Sequence, residues 1–227
     1  ADKEVEARLE GLPSALRSVD PTTALEELAE LVDAAEGEWA SALGNYVREA
    51  DVVADLIKLI DHDDSDICAL AIRVLANLCS DAVDPNSNAT KEVVRQLHGF
   101  PRLLRHCFSN DPVALMYALG AIQNLCTCVE YAKMVTRPHR ERICEIEESP
   151  LAALSNSVPE GIEGLLAHYA EGILINIEMC EREEARQQGT SHGGPSQEEA
   201  RRRARARQWR RARQQEQLES PDAPAPP

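Results

Sequence analysis

Apolar residues recur along this chain at intervals of three and four, the spacing of one face of an α-helix. Leu25, Leu28, Leu31 and Val32 form such a stripe in ALEELAELVDAA, a run that follows Pro21-Thr22-Thr23 and stops before Gly37. EWASALGNYVREA follows as a second helix, and the pair reads as a degenerate first repeat or an N-terminal cap. The alternation of a half-buried strand is nowhere sustained, so the expected class is all-α. The most informative stretch is Gly99–Cys128, GFPRLLRHCFSNDPVALMYALGAIQNLCTC, which predicts a hairpin of two helices. Pro101 is tolerated in a first helical turn, where no partner is needed for the missing N–H. Ser109-Asn110-Asp111-Pro112 ends that helix and starts the next, with Asp111 as N-cap and Pro112 at the first helical position. Val113 to Ile122 is apolar on nearly every face and predicts a buried helix. Its polar exceptions, Gln123, Asn124 and Thr127, share one narrow stripe with Gly120.

That hairpin has copies on both sides. A shift of 47 aligns Val52–Cys79 with Gly99–Cys126 without a gap: Leu56 meets Leu103, Asp64 meets Asp111, and Asn77-Leu78-Cys79 meets Asn124-Leu125-Cys126. The acidic loop Asp61, Asp63, Asp64, Asp66 sits before the copied helix, where negative charge stabilises the N-terminal end. Its spacing is wrong for a calcium loop. Asp84-Pro85-Asn86-Ser87 makes a turn, and Asn88–Leu97 a short helix ahead of the central hairpin, so the unit has three helices. Residues 129–136 predict the short helix of a further unit, broken by Pro138 and followed by a charged segment, HRERICEIEE. Pro150–Leu154 then repeats the proline-led second helix, and GIEGLLAHYAEGILINIEMC the third. There a shift of 52 matches Tyr169-Ala170 to Tyr117-Ala118, Gly172 to Gly120 and Asn176 to Asn124. Three ordered elements recurring at this period indicate stacked helical repeats.

The unit GFPRLL…DP…YALGAIQNL resembles the armadillo repeat, over about residues 50–180. The resemblance implies a right-handed α-solenoid whose third helices line a concave groove. It also implies that the third-helix asparagine hydrogen-bonds the backbone of an extended ligand, a role that falls on Asn77, Asn124 and Asn176. The groove residues so expected are Arg73, Asn77, Ser80, Gln123, Asn124, Thr127, His168 and Asn176. Ala69, Ala76, Met116, Gly120, Gly172, Ile175 and Met179 complete the stripe. The importin-alpha branch of the family keeps tryptophan four residues before the asparagine; here Arg73, Gly120 and Gly172 stand there, so its aromatic slots for lysine are missing. The expected division is residues 1–50 as capping helices or degenerate repeat, 51–182 as armadillo-like repeats, and 183–227 as linker, Arg-rich helix and Pro-rich disordered tail.

Charge narrows the partners. The net charge is −15, while residues 181–227 hold ten arginines against eight acids, which leaves −17 on the first 180. Such a body repels nucleic acid and suits a basic protein partner. Nucleic acid is expected only through the tail, where Arg201, Arg202, Arg203, Arg205, Arg207, Arg210, Arg211 and Arg213 surround Trp209 with no acid among them. The same segment can dock within the chain on acidic loops at Asp61–Asp66 or Glu145–Glu148. Seven cysteines, mostly within apolar helical runs, fit buried thiols in a reducing compartment better than a disulfide framework. Cys126-x-Cys128 lacks the second pair a zinc site needs. Arg73 and Glu171 interrupt the two longest apolar runs, so no membrane span is expected. The charged N-terminus is no signal peptide, and the expected location is cytoplasmic or nuclear. Trp39 reads as a packing residue and His168 as a polar groove residue.

No phosphate loop, metal cluster or nucleophile–base pair stands out, so neither a cofactor nor catalysis is expected. The leading expectation is a non-enzymatic scaffold holding an extended peptide or partner helix in the groove. The alternatives are an Hsp70 cofactor resembling armadillo-type nucleotide-exchange factors, or an adaptor working through its Arg-rich tail.

Overall fold

The computed structural model describes residues 2–154 and 161–187. Within them the chain forms four successive helical units. The first is α1 (Asp2–Arg8), α2 (Leu12–Leu16) and α3 (Thr22–Asp33); the second is α4 (Gly37–Glu49), α5 (Val52–Leu59) and α6 (Ser65–Leu78). The third is α7 (Ser87–Gln96), α8 (Gly99–Arg105) and α9 (Pro112–Leu125), with a 3-10 turn over His106–Phe108. The fourth holds α10 (Val129–Met134), α11 (Arg137–Glu148), α12 (Pro150–Ala153) and the long α13 (Ile162–Gln187).

The predicted caps are in place. Asp64 Oδ1 accepts from the backbone N–H of Asp66 at 2.9 Å and of Ile67 at 3.3 Å. Asp111 Oδ1 accepts from Val113 at 2.8 Å and Ala114 at 3.2 Å. Each carboxylate satisfies donors that the first helical turn leaves without a partner. Asp111→Ala is expected to lower unfolding free energy by about 1 kcal/mol, with Asp111→Asn retaining most of it, as read by chemical denaturation.

Stacking the units makes three rows. The third helices pack in the order α3, α6, α9, α13. The middle helices are tied by arginines: Arg17 to Asp55 of α5 at 2.8 Å, Arg102 of α8 to Asp61 at 2.8 Å, and Arg142 of α11 to the carbonyl of Cys107 at 3.2 Å. In the outer row α1 packs on α4, and Arg48 of α4 bonds Asp84 at 2.8 Å and Thr90 of α7 at 2.7 Å. Tyr131 of α10 donates its hydroxyl to the carbonyl of Lys91 on α7. Buried apolar side chains from Val5 to Cys180 form one continuous core. Phe100 and Tyr131 meet edge-on inside it, 4.8 Å between centroids.

Two assignments differ from the sequence reading. Helices α3 and α4 do not form a repeat pair: α3 stacks mainly on α6, while α4 packs on α1, α5 and α7. With α1 and α2, α3 completes a unit of its own. The charged segment after Pro138 also belongs to the packed unit. Pro138 sits in the first turn of α11, and Ile143 and Ile146, three residues apart and fully buried, make α11 the helix that covers α13. The expected proline-led helix at 150 is a single turn. A stripe of two isoleucines among charges has little apolar signal, and only the surface it meets shows that it is core.

All seven cysteines are thiols, five of them buried. Burial pushes Cys79 and Cys107 up to about 12 and Cys68 to about 11. A raised pKa leaves less thiolate at neutral pH, and the thiolate is the reactive form. Alkylation of the native protein at pH 7.5 is therefore expected at the half-buried Cys128 and Cys144 first, and at all seven only after unfolding, as counted by mass spectrometry. Among the described residues no helix is long and apolar enough to cross a membrane.

Candidate functional site

The row of third helices carries the predicted asparagines in one register. Asn124 donates Nδ2–H to the carbonyl of Ala76 at 3.0 Å, and Asn176 does the same to Gln123 at 2.9 Å. Ala76 and Gln123 each precede the asparagine of the previous unit, so every rung grips the helix before it one residue from the rung below. Asn77 reaches α3 instead through a side chain, donating to Asp33 Oδ1 at 2.8 Å. An amide has two N–H donors and an acceptor oxygen. Each asparagine is half-buried and spends one donor on its neighbour, with no second hydrogen bond from its side chain among the described residues.

Asp33 is a residue that sequence reasoning missed. It is exposed at the end of α3 and accepts from Arg73 as well as Asn77. A shift of 44 would have found it, setting Leu28 on Ile72, Leu31 on Leu75 and Asp33 on Asn77. That signal is hidden because the aligned position is acidic and no Leu-Cys follows it.

The other predicted groove residues are all accessible. Arg73, Ser80, Gln123 and His168 are half-buried, and Thr127 is exposed, its hydroxyl donating to the carbonyl of Asn124 at 3.2 Å. Ala69, Ala76, Met116, Gly172 and Ile175 of the stripe are buried. Neighbouring helices explain why. A Cβ on Gly172 would lie 2.1 Å from Gln123 Nε2, and one on Gly120 would lie 3.6 Å from the Tyr169 ring. So α9 and α13 interdigitate where a tryptophan of the importin-alpha branch would project, and Arg73 fills the third such position by pairing with Asp33. Beyond Asn176 the groove opens into a cavity of about 890 Å³ lined by Thr127, Val129, Asn176, Cys180 and the exposed Met179, with charges of α13 at its rim. The predicted basic residues Arg201 to Arg213 and Trp209 lie outside the described residues.

Residues 87–127, the third unit, match the Armadillo/beta-catenin-like repeat family. No curated protein matches the chain by sequence. Among solved structures, the chain is similar to an engineered protein at 21% identity and a TM-score of 0.58 over 78% of this chain. It spans only 39% of that protein's length. It is also similar to a designed armadillo repeat protein solved in complex with the peptide (KR)4, at 16% identity, a TM-score of 0.51, and coverage of 88% of this chain and 98% of that one. The fold is therefore that of an armadillo repeat α-solenoid, and the chain carries a recognisable armadillo repeat.

Proposed function

We propose that this chain is a non-enzymatic scaffold that holds an extended, basic peptide segment along the concave row α3–α6–α9–α13. The observation that carries this is the asparagine register. Three amides at a repeating position each use one donor on the neighbouring helix, which leaves a donor and an acceptor for the alternate peptide groups of an extended backbone. The preference for basic peptide rests on the −17 carried by residues 1–180 and on the exposed Glu26, Glu27 and Glu30 of α3. A designed protein of the same fold holds (KR)4, which supports the same class of ligand here. The chain organisation that goes with this reading is four stacked units closing on α3, α6, α9 and α13, followed by a tail.

The test is a titration of the full chain with fluorescein-labelled (KR)4 and with the acidic (DE)4, read by anisotropy at two salt concentrations. Saturable binding of (KR)4 that weakens with salt, and none of (DE)4, is expected. Equal binding of both peptides, or of neither, overturns the reading.

A further inference from the structure

Where the first unit meets α4 of the second there is a cavity that the asparagine ladder does not use. It lies between α1, α3 and α4, measures about 660 Å³, and is lined by Trp39, Arg8, Leu31, Glu27, Glu30 and Glu36. Sequence alone made Trp39 a packing residue, and its ring does rest on the core, half-buried. A cation also lies over it: the Arg8 guanidinium is 5.8 Å from the ring centroid, within cation–π range. The three carboxylates are exposed around it. An aromatic face with acids at its edge suits a guanidinium better than an ammonium, because the planar cation can stack while its N–H groups reach the carboxylates. Helix α3 supplies Glu26, Glu27, Glu30 and Asp33 and no base, and among the described residues Arg8 is the sole basic residue lining the cavity. Glu30 is one turn before Asp33, which places the cavity beside the α3 end of the groove.

We infer that this cavity is an arginine-binding site, that its occupant is an arginine on a basic segment of a protein partner, and that Arg8 holds the place until that arginine displaces it. Charge complementarity selects the partner, and the chain's own Arg8 over the Trp39 ring shows the chemistry that the cavity accepts. The inference goes beyond the groove reading and does not depend on it.

Removing an internal competitor should strengthen binding, which a purely structural Arg8–Trp39 contact would not do. The full chain is titrated with labelled octa-arginine and with octalysine at 150 mM salt. Arg8→Ala is expected to raise affinity for octa-arginine by about threefold to tenfold, and for octalysine by much less. Trp39→Ala should lower octa-arginine affinity about tenfold, to near that of octalysine, and Trp39→Phe should restore part of the difference. Circular dichroism checks that each variant is folded. Replacing Asn77, Asn124 and Asn176 should leave the arginine-over-lysine ratio unchanged, which separates this site from the ladder. An Arg8→Ala effect equal for both peptides, or a ratio insensitive to Trp39→Phe and Trp39→Ala, overturns the proposal. So does a gain that appears when the eight arginines from Arg201 to Arg213 are changed to serine, since the chain's own tail would then be the occupant.

Discussion

Replacing Asp84 with alanine is expected to lower the free energy of unfolding by about 3–5 kcal/mol, the cost of breaking a buried ion pair from one side. Asp84 is 1% exposed and sits in the loop between α6 and α7. One carboxylate oxygen takes Arg48 Nη1 at 2.8 Å, and the other accepts from the backbone of Asn86 at 2.8 Å. The side chain lies flat on Gly44, where a Cβ would stand 2.2 Å from Oδ2. Its removal strands the Arg48 guanidinium, whose side chain is only 10% exposed, with Thr90 and Asn45 as remaining partners. This pair joins the second and third units, so the unfolding transition should broaden as well as shift. Urea denaturation measures both. In an Arg48→Met background most of the Asp84→Ala cost should vanish, because no buried charge is left behind. Strictly additive effects of the two changes would sink the argument.

Changing Asn77, Asn124 and Asn176 together to alanine is expected to reduce (KR)4 affinity by roughly tenfold to a thousandfold. That range takes about 0.5–1.5 kcal/mol for each of three hydrogen bonds. The same amides brace neighbouring helices, through Asp33, the carbonyl of Ala76 and the carbonyl of Gln123, so the melting temperature should fall too. Binding is therefore measured well below the transition. It is compared with Ile72→Val, a core change that removes one buried methyl group, costs about 0.5–1.5 kcal/mol and faces no ligand. If the triple variant keeps its affinity, the asparagines are braces only and the ligand contacts lie elsewhere. If Ile72→Val loses affinity equally, the effect is one of stability.

Why the third helices were legible and the fourth rung was not has a physical basis. A buried helix between two others must be apolar on most of its surface, so α9 stands out in any reading, and a polar residue surviving on it is conspicuous. Asn124 and its copies were found that way. Among the described residues, helix α3 has a third-helix neighbour on one side of its row and carries exposed glutamates, so its match to α6 is diluted and Asp33 does not stand out. Helix α11 shows the converse: a short stripe, Ile143 and Ile146, is enough when the partner surface lies directly against it.

By itself the sequence determined the local and periodic features: helical class, unit length, the capping aspartates, buried thiols, an acidic body and the shared asparagine position. Each depends on spacing or on chemistry within a few residues, which a chain displays directly. Tertiary structure decided what depends on distant neighbours. It assigned α1, α2 and α3 to a unit of their own and made a charged segment the cover of α13. It closed the glycine positions with Gln123 and Tyr169, and it brought Arg8 from α1 onto Trp39 of α4. Hydrophobic periodicity says which face of a helix is buried, but only packing says against what. That is why the ladder could be read from the chain, and the cavity beside it could not.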